Sequence, residues 1–150
     1  MTTRKAGSVT DPFEIARRAG FEVLGQEGTV EEVRDAWRAF SSTSAVPTVR
    51  IDDEDPDPLA VETAWSRVAG SNGLVAPSGE FLLSISATGT HALPWLRVKA
   101  GADARVLELG PSDGEPDFVA TNLGRDVSVA VTSEEDETWI LVSSARPEES

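Results

Sequence analysis

The 150-residue sequence has no cysteine and no tyrosine, and its only histidine is His91. Without cysteine the chain has no disulfide bond, no thiolate metal ligand and no cysteine nucleophile. The single histidine excludes every metal site that needs two histidine ligands. A serine–histidine–acid triad would have to use His91, and a Schiff base would have to use Lys99, because Lys5 lies in a polar N-terminal segment.

Several short catalytic and nucleotide-binding motifs are also missing. The chain contains no G-x-S-x-G elbow, no G-x-x-x-x-G-K-[ST] loop and no G-x-G-x-x-G fingerprint. Two carboxylates could perform general acid–base catalysis, but nothing in the sequence singles out a pair among the many present. We therefore predict no catalytic residue, no metal ligand and no cofactor, and we favour a non-enzymatic role.

Positive charge is scarce, with 13 Lys and Arg residues against 26 Asp and Glu residues and a formal net charge of -13. A surface this negative repels phosphate backbones and lipid headgroups, so we predict binding to neither nucleic acid nor membranes. No apolar run approaches the ~20 residues of a membrane helix, and none follows Arg4 and Lys5 as a signal peptide requires. We expect a cytoplasmic protein whose charge serves solubility, a basic partner or a divalent cation.

Capping signals predict three helices in the N-terminal half. Asp11 and Pro12 suit the cap and first position of a short helix that stops near Gly20. Thr29 begins a capping box, and the apolar stripe that follows has helical spacing, with Val30, Val33, Trp37 and Phe40. Asp57 repeats the signal of a cap before a proline and predicts the third helix.

The apolar period changes to two in the C-terminal half and predicts an antiparallel sheet of about five to six strands. Short turns favour a meander, because parallel strands need longer crossovers. A further strand is predicted over Val46–Ile51, where Pro47 suggests an edge strand or the start of a strand. We expect an α+β fold with the helices on one face of the sheet, burying Trp37 and Trp65. The candidate strands of the C-terminal half are 81–86, 95–99, 105–109, 118–121, 127–131 and 139–143.

The length of the chain matches one domain. We expect a flexible arm over residues 1–10, a single α+β domain over residues 11–145 and a flexible tail over residues 146–150. Neither a linker of useful length nor an internal repeat divides the sequence.

Two acidic runs are candidate binding sites for a basic partner. The alternative is a solvated surface that only aids solubility and edge protection. A calcium site is disfavoured in the first run, because that run lacks the glycine of a calcium loop and is stiffened by Pro56 and Pro58. The candidate partner-binding residues are Asp52, Asp53, Glu54 and Asp55 in the first run and Glu134, Glu135, Asp136 and Glu137 in the second.

The rare basic residues suggest an alternative site for an anionic or aromatic ligand. A hairpin of residues 95–99 and 104–109 would bring Arg97, Lys99 and Arg105 together, with Trp95 on the same face as the first two and His91 just upstream. The competing explanation is pairing with acidic neighbours across the sheet. Because the strand face of Trp95 is otherwise charged, we also predict that this tryptophan is exposed and forms the apolar hot spot for a partner.

The leading hypothesis is a small acidic bacterial interaction module that binds a basic protein, as toxin-neutralising, chaperone or adaptor proteins do. One alternative is a small-molecule or anion-binding domain, or an enzyme, with a pocket near His91, Trp95 and Arg97. Another is a structural component of a larger assembly that self-associates through the edge strand near Val49 or Ile51. The oligomeric state stays open.

Overall fold

Three helices form in the N-terminal half, as the capping signals predict. The computed structural model describes residues 11–41, 47–86, 93–112 and 114–144. The predicted arm and tail, and also His91, lie outside these ranges. The helices are α1 (Pro12–Arg18), α2 (Val30–Phe40) and α3 (Ala60–Ser71).

Side-chain caps explain where the first two helices begin. The Asp11 carboxylate accepts a hydrogen bond from the Phe13 amide at 2.9 Å, and the Thr29 hydroxyl accepts one from the Glu32 amide at 3.1 Å. In contrast, Asp57 does not cap α3 directly. Its carboxylate accepts from the amide of Leu59 at 2.9 Å and closes a turn that precedes the helix.

A single seven-stranded antiparallel sheet accompanies the helices. Its strand order is β1-β4-β3-β5-β6-β7-β2, so the N-terminal half supplies both edges and the C-terminal half supplies the five inner strands. The predicted edge position of the strand after Pro47 is confirmed. The strands are β1 (Phe21–Glu27), β2 (Val49–Asp52), β3 (Glu80–Ile85), β4 (Trp95–Ala100), β5 (Phe118–Thr121), β6 (Val127–Ser133) and β7 (Glu137–Ser144).

The prediction of a strand over residues 105–109 is wrong. Val106–Glu108 form a 3-10 helix, because the Glu62 carboxylate of α3 accepts hydrogen bonds from the amides of Val106 and Leu107 at 3.0 and 2.9 Å. The meander is also only partly correct. Since β3 pairs with both β4 and β5, the segment 101–117 crosses over β3, and only β5, β6 and β7 follow one another as a meander.

The helices cover both faces of the sheet rather than one. α1 and α3 pack on the first face together with the 3-10 helix, and α2 packs on the second face. The first interface has Trp65 at its centre, with ring centroids 6.1 Å from Phe81 and 5.4 Å from Phe118. No helix in the described ranges is long and apolar enough to cross a membrane.

The second face has a smaller apolar core under α2. Val33 of the helix is fully buried against Leu82 and Trp95 of the sheet. Trp37 is half-buried, and its indole Nε1 donates a hydrogen bond to the Ser84 hydroxyl of β3 at 2.8 Å. The predicted apolar stripe of α2 therefore faces the sheet, but it faces the opposite side from Trp65.

Truncating Trp65 tests the larger core. We expect Trp65→Ala to lower the free energy of unfolding by about 3–5 kcal/mol, because the cavity left between Phe81 and Phe118 cannot close fully. Urea unfolding followed by circular dichroism measures this loss. Leu59→Ala is the matched control: Leu59 is 49% exposed, so its truncation should cost less than about 0.5 kcal/mol. Equal losses in the two variants would contradict the placement of Trp65.

Candidate functional site

The two acidic runs lie side by side at one end of the sheet. β2 pairs with β7 in a register that places Asp52 opposite Glu137, and the Asp53 amide donates to the Asp136 carbonyl at 2.9 Å. The loop after β2 therefore runs alongside the turn between β6 and β7. We call residues 52–57 together with residues 134–137 the acidic face.

Side-chain hydrogen bonds fix the shape of the loop in the acidic face. The carboxylates of Asp52, Asp55 and Asp57 each accept from the backbone amide two residues further on, at 2.8, 2.9 and 2.9 Å. Aspartate is favoured at such positions because its short side chain closes a turn on its own backbone. The loop thus holds its carboxylates in set positions although every residue from 52 to 57 is exposed.

A shallow concavity of about 370 Å³ lies between the loop and the turn. Carboxylate residues form its rim, including Asp53, Asp55 and Glu134, and Glu115 adds a further carboxylate from the crossover segment. Its lining also contains apolar residues, namely Ile51, Pro58, Val61 and Leu107. The acidic face therefore contains a depression that is lined by both carboxylates and apolar side chains.

The ion pairs found among the described residues lie away from the acidic face. Arg38 pairs with Asp35, and Arg105 pairs with Glu62. Two further arginines form bridges between strands and loops, Arg97 with Glu27 and Glu80, and Arg125 with Glu27 and Glu32. None of these pairs involves a carboxylate of the acidic face, so its charges are not neutralised by them.

The acidic face has no arrangement suited to a metal ion. Among the residues that the structure describes, no group of three or more acidic or histidine side chains is placed to hold one. The hydrogen bonds of Asp52, Asp55 and Asp57 direct these carboxylates at their own backbone rather than at a common point. The acidic face therefore offers a spread of negative charge over a surface.

The prediction of an exposed Trp95 is wrong. Only 1% of this residue is accessible, because α2 covers its strand face and Val33 packs against it. The charged neighbour Arg97 does share that face, but Glu27 and Glu80 hold its guanidinium at 2.8 and 2.6 Å. The hydrogen bonds that Arg97 donates to Glu80 and, to a smaller extent, to Glu27 raise the pKa of Arg97. Trp95 cannot be a surface hot spot.

The predicted basic cluster does not assemble. Arg97 faces the side of the sheet that α2 covers, whereas Arg105 contacts Glu62 of α3 on the other side, at 3.6 Å. Lys99 is exposed near the end of β4, between Glu22 of β1 and Glu80 of β3. Arg97 and Arg105 instead pair with acidic neighbours, as the competing explanation predicts. The hairpin that would have joined them is absent, because residues 106–108 are helical.

A second concavity, which the sequence did not reveal, lies beside α2. It has a volume of about 350 Å³, and we call it the α2 cleft. Ala36, Ala39 and Phe40 line it from the helix, while Trp95 lines it from the sheet. Its remaining lining residues are Glu32, Asp35, Thr121, Arg125, Ser128 and Ser143.

Arg125 is the main residue that sequence reasoning missed. It lies in the turn between β5 and β6 with a left-handed backbone (φ 60°), which is uncommon for a residue with a side chain. Its guanidinium donates hydrogen bonds to the carboxylates of Glu27 and Glu32, both at 3.2 Å, and to the Leu123 carbonyl at 2.8 Å. The sequence does not predict these ion pairs, because Glu27 and Glu32 lie in the N-terminal half of the chain, far from Arg125.

A row of hydroxyl side chains forms part of the cleft floor. Thr121, Ser128 and Ser143 pair with one another across β5, β6 and β7, so they share one face of the sheet. Ser128 interrupts the apolar start of β6, whereas Thr121 and Ser143 lie at the ends of β5 and β7, where polar residues are common. The row is recognisable as a unit only once the strand register is known.

Asp117 lies beside the acidic turn and carries a shifted pKa. Burial raises the pKa of its carboxyl, and the nearby negative charge of Glu134 adds to that increase, while a hydrogen bond with Ser86 acts in the opposite direction. The net direction is upward. The folded state therefore favours the protonated form of Asp117, and its ionised form costs stability at neutral pH.

Substituting Asp117 tests this balance. We expect Asp117→Asn to raise the free energy of unfolding at pH 7, because the amide carries no charge to desolvate and keeps a side-chain oxygen for Ser86. The gain should shrink as the pH falls through about 4 and disappear near about pH 3, because the aspartate is then protonated in both the folded and unfolded states. Urea unfolding between about pH 3 and pH 8 measures the profile across that range. Asp103→Asn controls for the loss of one negative charge at an exposed turn, and a gain of the same size in that control would contradict the local explanation.

Relatives give no guide to the role of these sites. Comparison of the chain with protein families, curated proteins and solved structures found no match. The acidic face and the α2 cleft therefore have to be interpreted from their own geometry and charge.

Proposed function

We propose that the chain is a non-enzymatic interaction module that binds a basic protein partner through its acidic face. One observation carries the proposal: the pairing of β2 with β7 joins two acidic runs that are far apart in sequence. Either run alone is a common solubility feature. Their union concentrates negative charge on one end of the molecule.

Electrostatic attraction supplies the first part of the mechanism. Like charges in the acidic face repel one another, and the net charge of -13 adds to the negative potential around it. A basic surface relieves this repulsion when it docks. Steering of this kind raises the association rate and depends steeply on salt, because exposed charges are screened beyond about 10 Å at 0.1 M ionic strength.

The apolar residues that line the depression supply the second part of the mechanism. Arginine and lysine side chains have apolar stems below their charged heads, and such stems cover apolar surface well. A partner side chain that enters the depression would place its stem against Pro58 and Leu107 and its charge near Asp53 or Glu134. This depression takes the role that sequence analysis assigned to Trp95.

The shape of the loop favours binding over passive solubility. Three of its carboxylates close turns on the backbone, so the loop is ordered before any partner arrives. Ordering a loop on binding costs free energy, and a preformed loop avoids that cost. We assign the protein to the cytoplasm as part of this proposal, in keeping with its lack of cysteine.

Neutralising the acidic face tests the proposed function. The face variant combines Asp53→Asn, Asp55→Asn, Glu134→Gln and Glu135→Gln, and the amide introduced by Asp55→Asn keeps an oxygen that can accept from the Asp57 amide. Wild-type protein on a resin should retain basic proteins from a low-salt lysate of the native cells and release them at a defined salt step. The face variant should lose that retention, because four charges at the docking surface are gone.

A matched control separates the face from net charge. Glu14→Gln, Glu22→Gln, Glu31→Gln and Asp103→Asn remove the same four charges from exposed positions elsewhere. This control should retain the same proteins as the wild type. An equal loss of retention in both variants would mean that net charge alone explains the binding, which would contradict a specific role of the acidic face. Unchanged retention in the face variant would overturn the proposal. Circular dichroism confirms that both variants fold.

A further inference from the structure

The α2 cleft has the size and lining of a small-molecule site. Its volume of about 350 Å³ falls within the range of known ligand pockets. Small side chains on α2 leave this space open, because Ala36 and Ala39 stand where longer residues would fill the gap to the sheet. The floor beneath them is polar at the hydroxyl row and aromatic at Trp95.

Trp95 holds a buried donor that has no acceptor. Its indole Nε1 is fully buried and has no hydrogen-bond partner among the described residues. The other indoles with a known partner show the usual arrangement, since Trp37 donates to Ser84 and Trp139 donates to Glu137. Buried polar groups are nearly always paired, so an unpaired N–H in a cavity wall marks a place where an acceptor is needed.

The unpaired N–H belongs to the edge of the Trp95 indole that lies near Gly28, Glu32 and Arg125, and the last two of these residues also line the α2 cleft. A Cβ atom on Gly28 would stand 2.9 Å from Cδ1 of Trp95, the atom bonded to Nε1, and 3.0 Å from the Arg125 guanidinium. The Glu32 carboxylate approaches the same point. Only glycine leaves room at this corner, where its positive φ of 81° also suits it.

Glu32 and Arg125 are the charged side chains next to this edge of the indole. The side chains of Glu32 and Arg125 are 42% and 31% exposed, so each has a solvent-facing part and can rotate outward. Their mutual contact at 3.2 Å is long for an ion pair of this type and is readily exchanged for contacts with water. A ligand that contacts the buried Nε1 would have to displace the Glu32 side chain.

The charges of the rim define the class of ligand. Arg125 is paired with Glu27 and Glu32, and Asp35 is paired with Arg38. Neither a free cation nor a free carboxylate remains among these groups to bind an ion of opposite sign. An anionic ligand would also have to approach a chain with a net charge of -13. A neutral molecule meets neither obstacle.

We infer that the α2 cleft binds a small neutral organic molecule whose carbonyl or ether oxygen accepts the Trp95 indole N–H. The apolar part of the molecule lies against Ala36, Ala39 and Phe40. The hydroxyl of Ser128 already donates to Thr121 at 3.2 Å, which leaves its lone pairs free to accept from a ligand hydroxyl. The site is independent of the acidic face, because the two lie at opposite ends of β7.

Acetophenone and ethylbenzene are suitable probes because they share a shape and differ in one acceptor oxygen. We titrate each into ¹⁵N-labelled protein and follow the four tryptophan indole signals, assigned by single Trp→Phe variants. Acetophenone should shift the Trp95 signal saturably. Ethylbenzene should bind about three- to tenfold more weakly, since one hydrogen bond is lost. A Trp95 signal that does not respond to acetophenone would overturn the inference, and so would equal binding of the two probes.

Three variants complete the test. Trp95→Phe keeps an aromatic ring but removes the donor together with its indole signal, so binding to this variant is followed through the backbone amide signals of α2. It should bind both probes equally. Trp139→Phe is the matched control, because Trp139 does not line the cleft, and it should keep the preference for acetophenone. Ala39→Leu fills the cleft from an exposed helix position and should abolish binding of both probes without unfolding the protein. Undiminished binding by Ala39→Leu would place the probes elsewhere and overturn the assignment.

Discussion

Burial of the sheet on both faces is the constraint on which the rest of the structure depends. At its centre, β3 and β5 have apolar side chains on both sides, including Phe81 and Leu83 toward α3 and Leu82 and Val119 toward α2. Such strands cannot form a surface, so helices must cover both faces. The crossover of segment 101–117 follows from the same arrangement, because β4 and β5 both need β3 as a neighbour. Polar side chains that could bind a ligand or partner therefore lie at the ends of the strands and in the gaps beside the helices.

Local signals predict local structure well in this chain. The caps at Asp11 and Thr29 and the helical stripe of α2 locate two helices, and alternation in the C-terminal half locates most of the strands. The face on which a helix packs is not a local property. α2 lies in sequence between β1 at one edge of the sheet and β2 at the other edge, and it packs on the second face, where Val33 meets Leu82 and Trp95. The apolar periodicity of α2 does not indicate which face of the sheet the helix covers.

The candidate sites divide in the same way. Each acidic run is visible in the sequence, whereas their contact depends on the register between β2 and β7. The prediction that Trp95 is exposed was wrong because its charged neighbours suggested a solvent-exposed strand face. In the structure, Glu27 and Glu80 bind Arg97 on that face, and α2 covers the indole. The hydroxyls of the cleft looked like ordinary strand residues. A site built from residues that are separate in sequence becomes visible only when the strand order is known.

The pairing of β2 with β7 has a consequence for the order in which the protein matures during synthesis. β2 spans Val49–Asp52, and its partner β7 spans Glu137–Ser144, so β2 has to wait for nearly all of the domain to leave the ribosome. Contacts between such distant segments form late, because closing a long loop is entropically costly. The two acidic runs therefore remain apart on a nascent chain, and a partner that requires both of them would distinguish a finished molecule from an incomplete one.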